Sequence, residues 1–316
     1  MHQFENGAPV SVEEWEARRQ VALDAMQKVA GPLPDAGRRC GLDIRLEEEV
    51  DCGSYMRRLL SYVSEPGCRT PAYLCLPKGG GARRAVLCLH GTDRTVGHGT
   101  VVGLHPQKQH SRYAAELAER GFVTLAPAYP LLANYQPDLD GLGYSSGTMK
   151  AIWDNGRALD LLEGLEEVDA SGGFAAIGHS LGGHNSVYSA AFEPRLKVAV
   201  SNCGLDSFQD YRDGDLSGWK QKLYMPALER YALAEIPFDF HDLVGALAPR
   251  PCLVIAPLHD DNFKWRSVDA VAAAARQAYA LYGAADKLVV EHPDCAHDFP
   301  VEIRQRAYRF IEDNLG

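Results

Sequence analysis

The chain has 316 residues, 46% of them apolar, which is enough for one large hydrophobic core. Its formal net charge of −10 repels phosphate backbones and anionic lipid, so nucleic acid and membrane surfaces are excluded as expected partners. No apolar run approaches the length that spans a bilayer, and no low-complexity tract or internal repeat is present.

The first residues lack the basic start and apolar stretch of a secretory signal. Eight cysteines are irregularly spaced, and Cys75, Cys88 and Cys252 fall in apolar runs, where cysteine acts as a small buried hydrophobe. A reduced, cytoplasmic protein is expected, with a Cys52–Cys68 pair left open as the alternative. No CxxC or HExxH occurs, and neither a cofactor nor a metal is expected.

In chain order, residues 11–30 read as a helix capped by Ser11 and closed by Gly31-Pro32. Residues 42–63 and 71–76 read as antiparallel strands, so 1–69 form a leading helix and the front of a sheet. From Ala85 the pattern changes to continuous apolar runs at 85–89, 122–126, 174–177, 198–200, 252–255 and 288–290, each suited to a strand buried on both faces. Helical stretches at 113–120, 149–162, 181 onward, 267–282 and 301–315 alternate with them. This alternation predicts one α/β domain over 1–316, with a mostly parallel sheet and helices on both faces. Residues 201–248 break the pattern. Their aromatics, among them Phe208, Tyr211, Trp219, Tyr224 and Phe240, predict a small cap or insertion over a site.

Gly178-His179-Ser180-Leu181-Gly182 sits between a strand and a helix. A serine on such a turn adopts a strained backbone and lifts its hydroxyl above the sheet, while small neighbours let the turn close. The hydroxyl needs a base, and His297, between the last strand and the last helix, is assigned that role ahead of His292, His179 and His184. The acid belongs after the strand at 252–255, where Asp260 is first choice and Asp261 the alternate; Asp206 is a further possibility. The oxyanion hole is assigned to the amides of Leu181 and of Thr92, in His90-Gly91-Thr92. His90 itself reads as a core histidine satisfied by backbone.

With these residues placed, the chain resembles the α/β-hydrolase superfamily, and within it the dienelactone hydrolase and acetyl xylan esterase-like branch. The likeness covers about residues 70–316 and rests on LCLHGT, LAERGFVTLAPAYP, AIGHSLGGHNS, APLHDDNF and DCAHDFP. It departs from dienelactone hydrolases, which use a cysteine nucleophile, and it lacks the propeller of oligopeptidases. The Asp260-Asp261-Asn262 turn is similar to the acid turn of oligopeptidase relatives, where the first aspartate is catalytic.

The leading reading is therefore a cofactor-independent serine carboxylic-ester hydrolase acting on a small-molecule ester. A peptidase or acyl transferase with the same triad is the alternative, and a non-catalytic binding protein is a third reading. A metal-dependent hydrolase would need His98, His105 and His110, whose spacing fits no common ligand pattern and reads as solvated loop. The aromatics of 129–144 and 206–240 suit a sugar ring or an aromatic acyl group, with Asp93, Arg94 and His98 as polar anchors. A carbohydrate-linked ester is what the resemblance implies.

Overall fold

A computed structural model of the chain describes residues 7, 9–108 and 111–315. Helix α1 (Val12–Ala30) has the expected cap: Ser11 Oγ accepts the Glu14 amide at 3.1 Å, and Gly31 ends the helix at φ 96°. Strands β1 (Arg45–Asp51), β2 (Tyr55–Glu65) and β3 (Cys68–Pro77) form the antiparallel front. The sequence reads the first two as one stretch. Gly53, at φ 86°, turns the chain and divides it.

The same hairpin settles the cysteines. Cys52 lies at the β1–β2 turn and Cys68 begins β3, at opposite ends of the eleven-residue β2. That is a separation of roughly 35 Å at ordinary strand rise, far beyond disulfide reach. Both thiols are free, and the Cys52–Cys68 pair is ruled out.

The remainder alternates: β4 (Ala85–Leu89), α2 (Tyr113–Glu119), β5 (Val123–Pro127), α3 (Gly147–Glu163), β6 (Phe174–His179), α4 (Leu181–Phe192), β7 (Leu196–Asn202), α5 (Phe240–Gly245), β8 (Cys252–Ile255), α6 (Trp265–Leu281), β9 (Leu288–Glu291) and α7 (Val301–Asn314). The nine strands make one sheet in the order β1-β2-β3-β5-β4-β6-β7-β8-β9. All neighbours from β5 to β9 are parallel, and β3 joins β5 antiparallel.

Side chains alternate across this sheet. Leu87, Leu89 and Ala176 join one core with α1, α3, α4, α5 and α6, while Val86, Cys88 and Ile177 join a second with α2 and α7. Double coverage is why these strands read as unbroken apolar runs.

The front of the sheet conceals an ion network that hydropathy does not reveal. Lys150 of α3 is fully buried, 2.9 Å from Glu65 and 2.5 Å from Asp154. Arg38 approaches Glu65 at 3.0 Å, and Tyr135 donates to Asp154 at 2.7 Å. Removing one partner leaves an uncompensated charge in the core, so Lys150→Met should lower unfolding free energy by about 3–5 kcal/mol in urea titrations.

Between β7 and α5, residues 203–239 contain no strand and only short 3₁₀ turns. Phe208, Trp219, Phe238 and Phe240 pack edge-to-face or tilted, with ring centres 5.4–5.8 Å apart. Asp206 pins the start of this segment by accepting the Lys264 amide at 2.9 Å. Burial pushes its carboxyl up to about 8, with Asp239 and Asp210 adding to the rise. An unfolded Asp206 has lost its proton by about pH 5. The folded residue keeps it until near pH 8, so unfolding releases a proton in between and stability falls as pH rises through that window. Asp206→Asn removes this dependence. The melting temperature of the variant relative to the parent should climb steadily from acid to mildly alkaline pH.

Candidate active site

Ser180 joins β6 to α4 with φ 56° and ψ −119°, outside the regions a serine ordinarily occupies. Such strain costs about 1–3 kcal/mol and persists only where the surroundings over-determine it. Here they do. The Ser180 amide donates to Asn202 O of β7 at 2.9 Å, and Gly183 and His184 return their amides to Ser180 O at 2.8 and 3.2 Å.

The flanking glycines are required by contact rather than by φ. A Cβ on Gly182 would lie 1.8 Å from Leu89 O, and one on Gly178 would lie 2.1 Å from Gly182 O. The first turn of α4 therefore rests on the end of β4, beside the 90–92 loop. Gly91 is less constrained, since its Cβ would lie 3.2 Å from His179 O, a tight contact that a small shift relieves.

This contact brings together the two assigned oxyanion donors. Leu181 N opens α4, and neither it nor Thr92 N donates to another described residue. His90 shapes the loop from within. Its Nε2 accepts the Tyr129 amide at 3.0 Å, so the proton lies on Nδ1, which donates to Gly91 O at 2.8 Å. Burial lowers its pKa to about 4 and keeps the ring neutral, the structural role expected of it.

His297 Nδ1 lies 2.8 Å from Asp260 Oδ2, and the Asp260 side chain is only 1% exposed. Asp260 Oδ1 accepts the amides of Asn262 and Phe263 at 2.8 and 3.1 Å. Burial pushes the Asp260 carboxyl up, but the His297 hydrogen bond and charge, with the two amides, outweigh it and hold the group below the usual carboxylate range. The alternate, Asp261, is exposed, and the carboxylate paired with the imidazole is that of Asp260. Asp206 is tied to α6 instead, and His292 to Ala256 O and Asp269.

The imidazole of His297 is packed between His179, at 4.9 Å between ring centres, and Phe263, at 5.9 Å. His184 is a core residue: burial lowers its pKa to about 3, and its Nδ1 faces Gly204 O.

Asn202 is a residue that the sequence does not single out. It is fully buried at the end of β7, two residues past the strand that hydropathy marks. Its carbonyl holds Ser180, and its side-chain amide lies 2.7 Å from His179 Nδ1 and donates to Asp298 O at 3.0 Å. One side chain thus ties the nucleophile strand to the histidine loop. Cys203, beside it, donates to the same Asp298 carbonyl. An asparagine at a strand end carries no pattern that marks such a role.

Ser180 opens onto two cavities. One, of about 240 Å³, is shared with His297, Thr92, Lys108 and Tyr113; the other, of about 260 Å³, with Leu181, Trp219, Tyr224 and Phe263. Tyr224 and Thr92 are hydrogen-bonded at 2.9 Å where the two meet.

Of the suggested polar anchors, Asp93 lines the first cavity but is turned inward. Its Oδ1 gathers the amides of Thr95, Val96 and Gly97, and its Oδ2 pairs with Lys108 at 2.7 Å. Arg94 is exposed. His98 is buried against Tyr73 rather than solvated, which corrects the reading of a solvated loop, and burial lowers its pKa to about 3. His105 lies 3.6 Å from Asp93, and His110 falls outside the described residues.

No family model matches the chain. It is 28% identical over 162 residues to hydrolase YtaP of Bacillus subtilis (strain 168), a match covering 51% of this chain and 52% of that protein. It is also 28% identical over 170 residues to 4-O-methyl-glucuronoyl methylesterase 1 of Sodiomyces alcalophilus, covering 47% of this chain and 34% of that one. The matched stretch thus spans about half the first relative and a third of the second. Among solved structures, a glucuronoyl esterase from Solibacter usitatus superposes with TM-score 0.77 over 97% of this chain and 95% of that one, at 18% identity. The strand order, the turn at Ser180 and this superposition together establish that the chain has the α/β-hydrolase fold.

Proposed function

We propose that the protein is a serine carboxylic-ester hydrolase that works through Ser180, His297 and Asp260. The observation that carries this is His297, paired with Asp260, sharing a cavity with a serine held on a strained strand-to-helix turn. His297 takes the proton of Ser180 as the hydroxyl attacks the ester carbonyl, and later returns it to the leaving alkoxide. Asp260, ionised and desolvated, fixes the imidazole with its Nδ1 proton inward and stabilises the imidazolium. The amides of Leu181 and Thr92 receive the oxyanion, aided by the N-terminus of α4. Water then attacks the acyl-enzyme by the same route in reverse.

A carbohydrate-linked or aromatic ester is the proposed substrate class. Support comes from the aromatic wall of Trp219, Tyr224 and Phe263 beside Ser180, and from the names of the similar glucuronoyl esterases. The 201–248 connection serves as the cap that supplies Trp219 and Tyr224 to this wall. The free thiols favour a reducing compartment, in keeping with a cytoplasmic enzyme.

Ser180→Ala should reduce turnover of 4-nitrophenyl acetate by at least about 10³-fold with the circular dichroism spectrum unchanged. Asp260→Asn should lose on the order of 10³–10⁴-fold in kcat, whereas Asp261→Asn stays within about threefold of the parent. Equal losses in the two would reverse the choice of acid. Turnover of peptidyl amides but not of esters would replace the esterase reading with a peptidase.

Asn202 acts as a positioning residue. Asn202→Ala removes the side-chain amide that reaches His179 Nδ1 and Asp298 O, a loss of about 0.5–1.5 kcal/mol per hydrogen bond. Its kcat should fall while KM holds, since the side chain aligns the histidine loop without lining either cavity. A change in KM alone would assign it to substrate binding.

A further inference from the structure

The cavity on the aromatic side of Ser180 presents a cation with no acid in direct contact with it; Asp215 acts on it only from beyond ion-pair distance. Arg212 lines it together with Ser180, Trp219, Tyr224 and Asn262. Its Nη2 donates to Asn262 Oδ1 at 2.8 Å, and its guanidinium sits 5.5 Å from the Tyr211 ring centre. Among the described residues no carboxylate oxygen lies within 4.0 Å of it. The acid next to it in sequence, Asp213, is engaged by Lys264 at 2.5 Å. In the other cavity the cation is cancelled, since Lys108 is 2.7 Å from the buried Asp93.

The backbone is arranged to achieve this. Arg212 and Asp213 are consecutive left-handed residues, at φ 45° and 57°, a conformation uncommon in anything but glycine. Contacts from the 260–264 turn accompany it: Asn262 holds the guanidinium and Lys264 holds Asp213. The Asn262 amide also donates to Asp260 Oδ1 at 2.8 Å. One turn therefore sets the position of both the triad acid and the cation.

We infer that Arg212 selects esters that carry a carboxylate in the part entering the aromatic cavity. The planar guanidinium has N–H groups to spare for a carboxylate, and the aromatic walls accept the chain or ring that separates it from the ester. The net charge of −10 draws no anion from a distance, so selection has to come from a local cation of this kind. The inference rests on the hydrolase reading.

The carboxylate can sit on the acyl or on the alcohol side, and two substrate pairs separate these. 4-Nitrophenyl monoadipate against 4-nitrophenyl hexanoate puts the charge on the acyl side; 4-acetoxybenzoate against its methyl ester puts it on the alcohol side. The protein should favour the charged member of one pair. Arg212→Gln should lower that kcat/KM ratio by about tenfold or more, the loss of one charge-assisted contact, and Arg212→Lys should retain part of it. Absence of preference in both pairs, or a ratio unchanged in Arg212→Gln, overturns the proposal. If no ester is cleaved, the hydrolase reading fails by itself. Calorimetric binding of adipate and 4-hydroxybenzoate then decides: weaker binding of either by Arg212→Gln supports the site, and equal binding of both refutes it.

Discussion

The first turn of α4 lies directly on the carbonyl end of β4, and the rest of the site follows from that contact. Gly182 leaves no room for a side chain against Leu89 O, and Gly178 leaves none against Gly182 O. With the helix this close, Ser180 has to turn through a backbone conformation that serine avoids, and its amide is caught by Asn202 of the next strand. The same approach sets the amide of Leu181 beside the loop that carries Thr92. Strain at Ser180 and the meeting of Leu181 with the Thr92 loop are thus two results of one packing constraint.

Asp260 and His297, the other two residues of the proposed triad, reach the site along different strands, and their alignment depends on polar contacts between loops. Asp260 is fixed by two amides of its own turn before it meets His297, so the acid is preorganised independently of the base. The histidine loop is tied back through Asp298 O to Asn202. Because the Asn202 carbonyl also holds the Ser180 amide, the His297 loop and the Ser180 turn are coupled at one buried residue, through its side chain and its backbone. Such an arrangement keeps the reacting groups in register without any direct covalent or helical link between them.

The aromatic connection after β7 gives the site its two-sided character. On one flank the Asp93–Lys108 pair makes a polar but neutral lining. On the other, Trp219, Tyr224 and Phe263 form an apolar wall interrupted by Arg212. An ester bound across Ser180 would meet different chemistry on the two sides of its scissile bond, which is a basis for discriminating acyl from alcohol components.

The order of strands and helices was legible in the sequence because burial on both faces leaves unbroken apolar runs, and hydropathy records burial. The turn at Ser180, and His297 and Asp260 after later strands, were legible because a fold of this connectivity can present such residues only at strand ends on one edge of the sheet. Local chemistry decided those positions. The sequence did not mark Asn202, Lys108, the inward turn of Asp93, the burial of His98 or the Lys150–Glu65–Asp154 network, since burial of these groups depends on elements that pack over them from elsewhere in the chain. A charged residue in a sequence reads as surface. Only when distant elements close over it does it acquire the counter-charge and hydrogen bonds that make burial possible. What the sequence by itself determined is the strand-to-helix frame and the strand ends at which Ser180, His297 and Asp260 stand. What the tertiary structure alone decided is which polar groups converge on them, because that convergence is made by packing rather than by spacing.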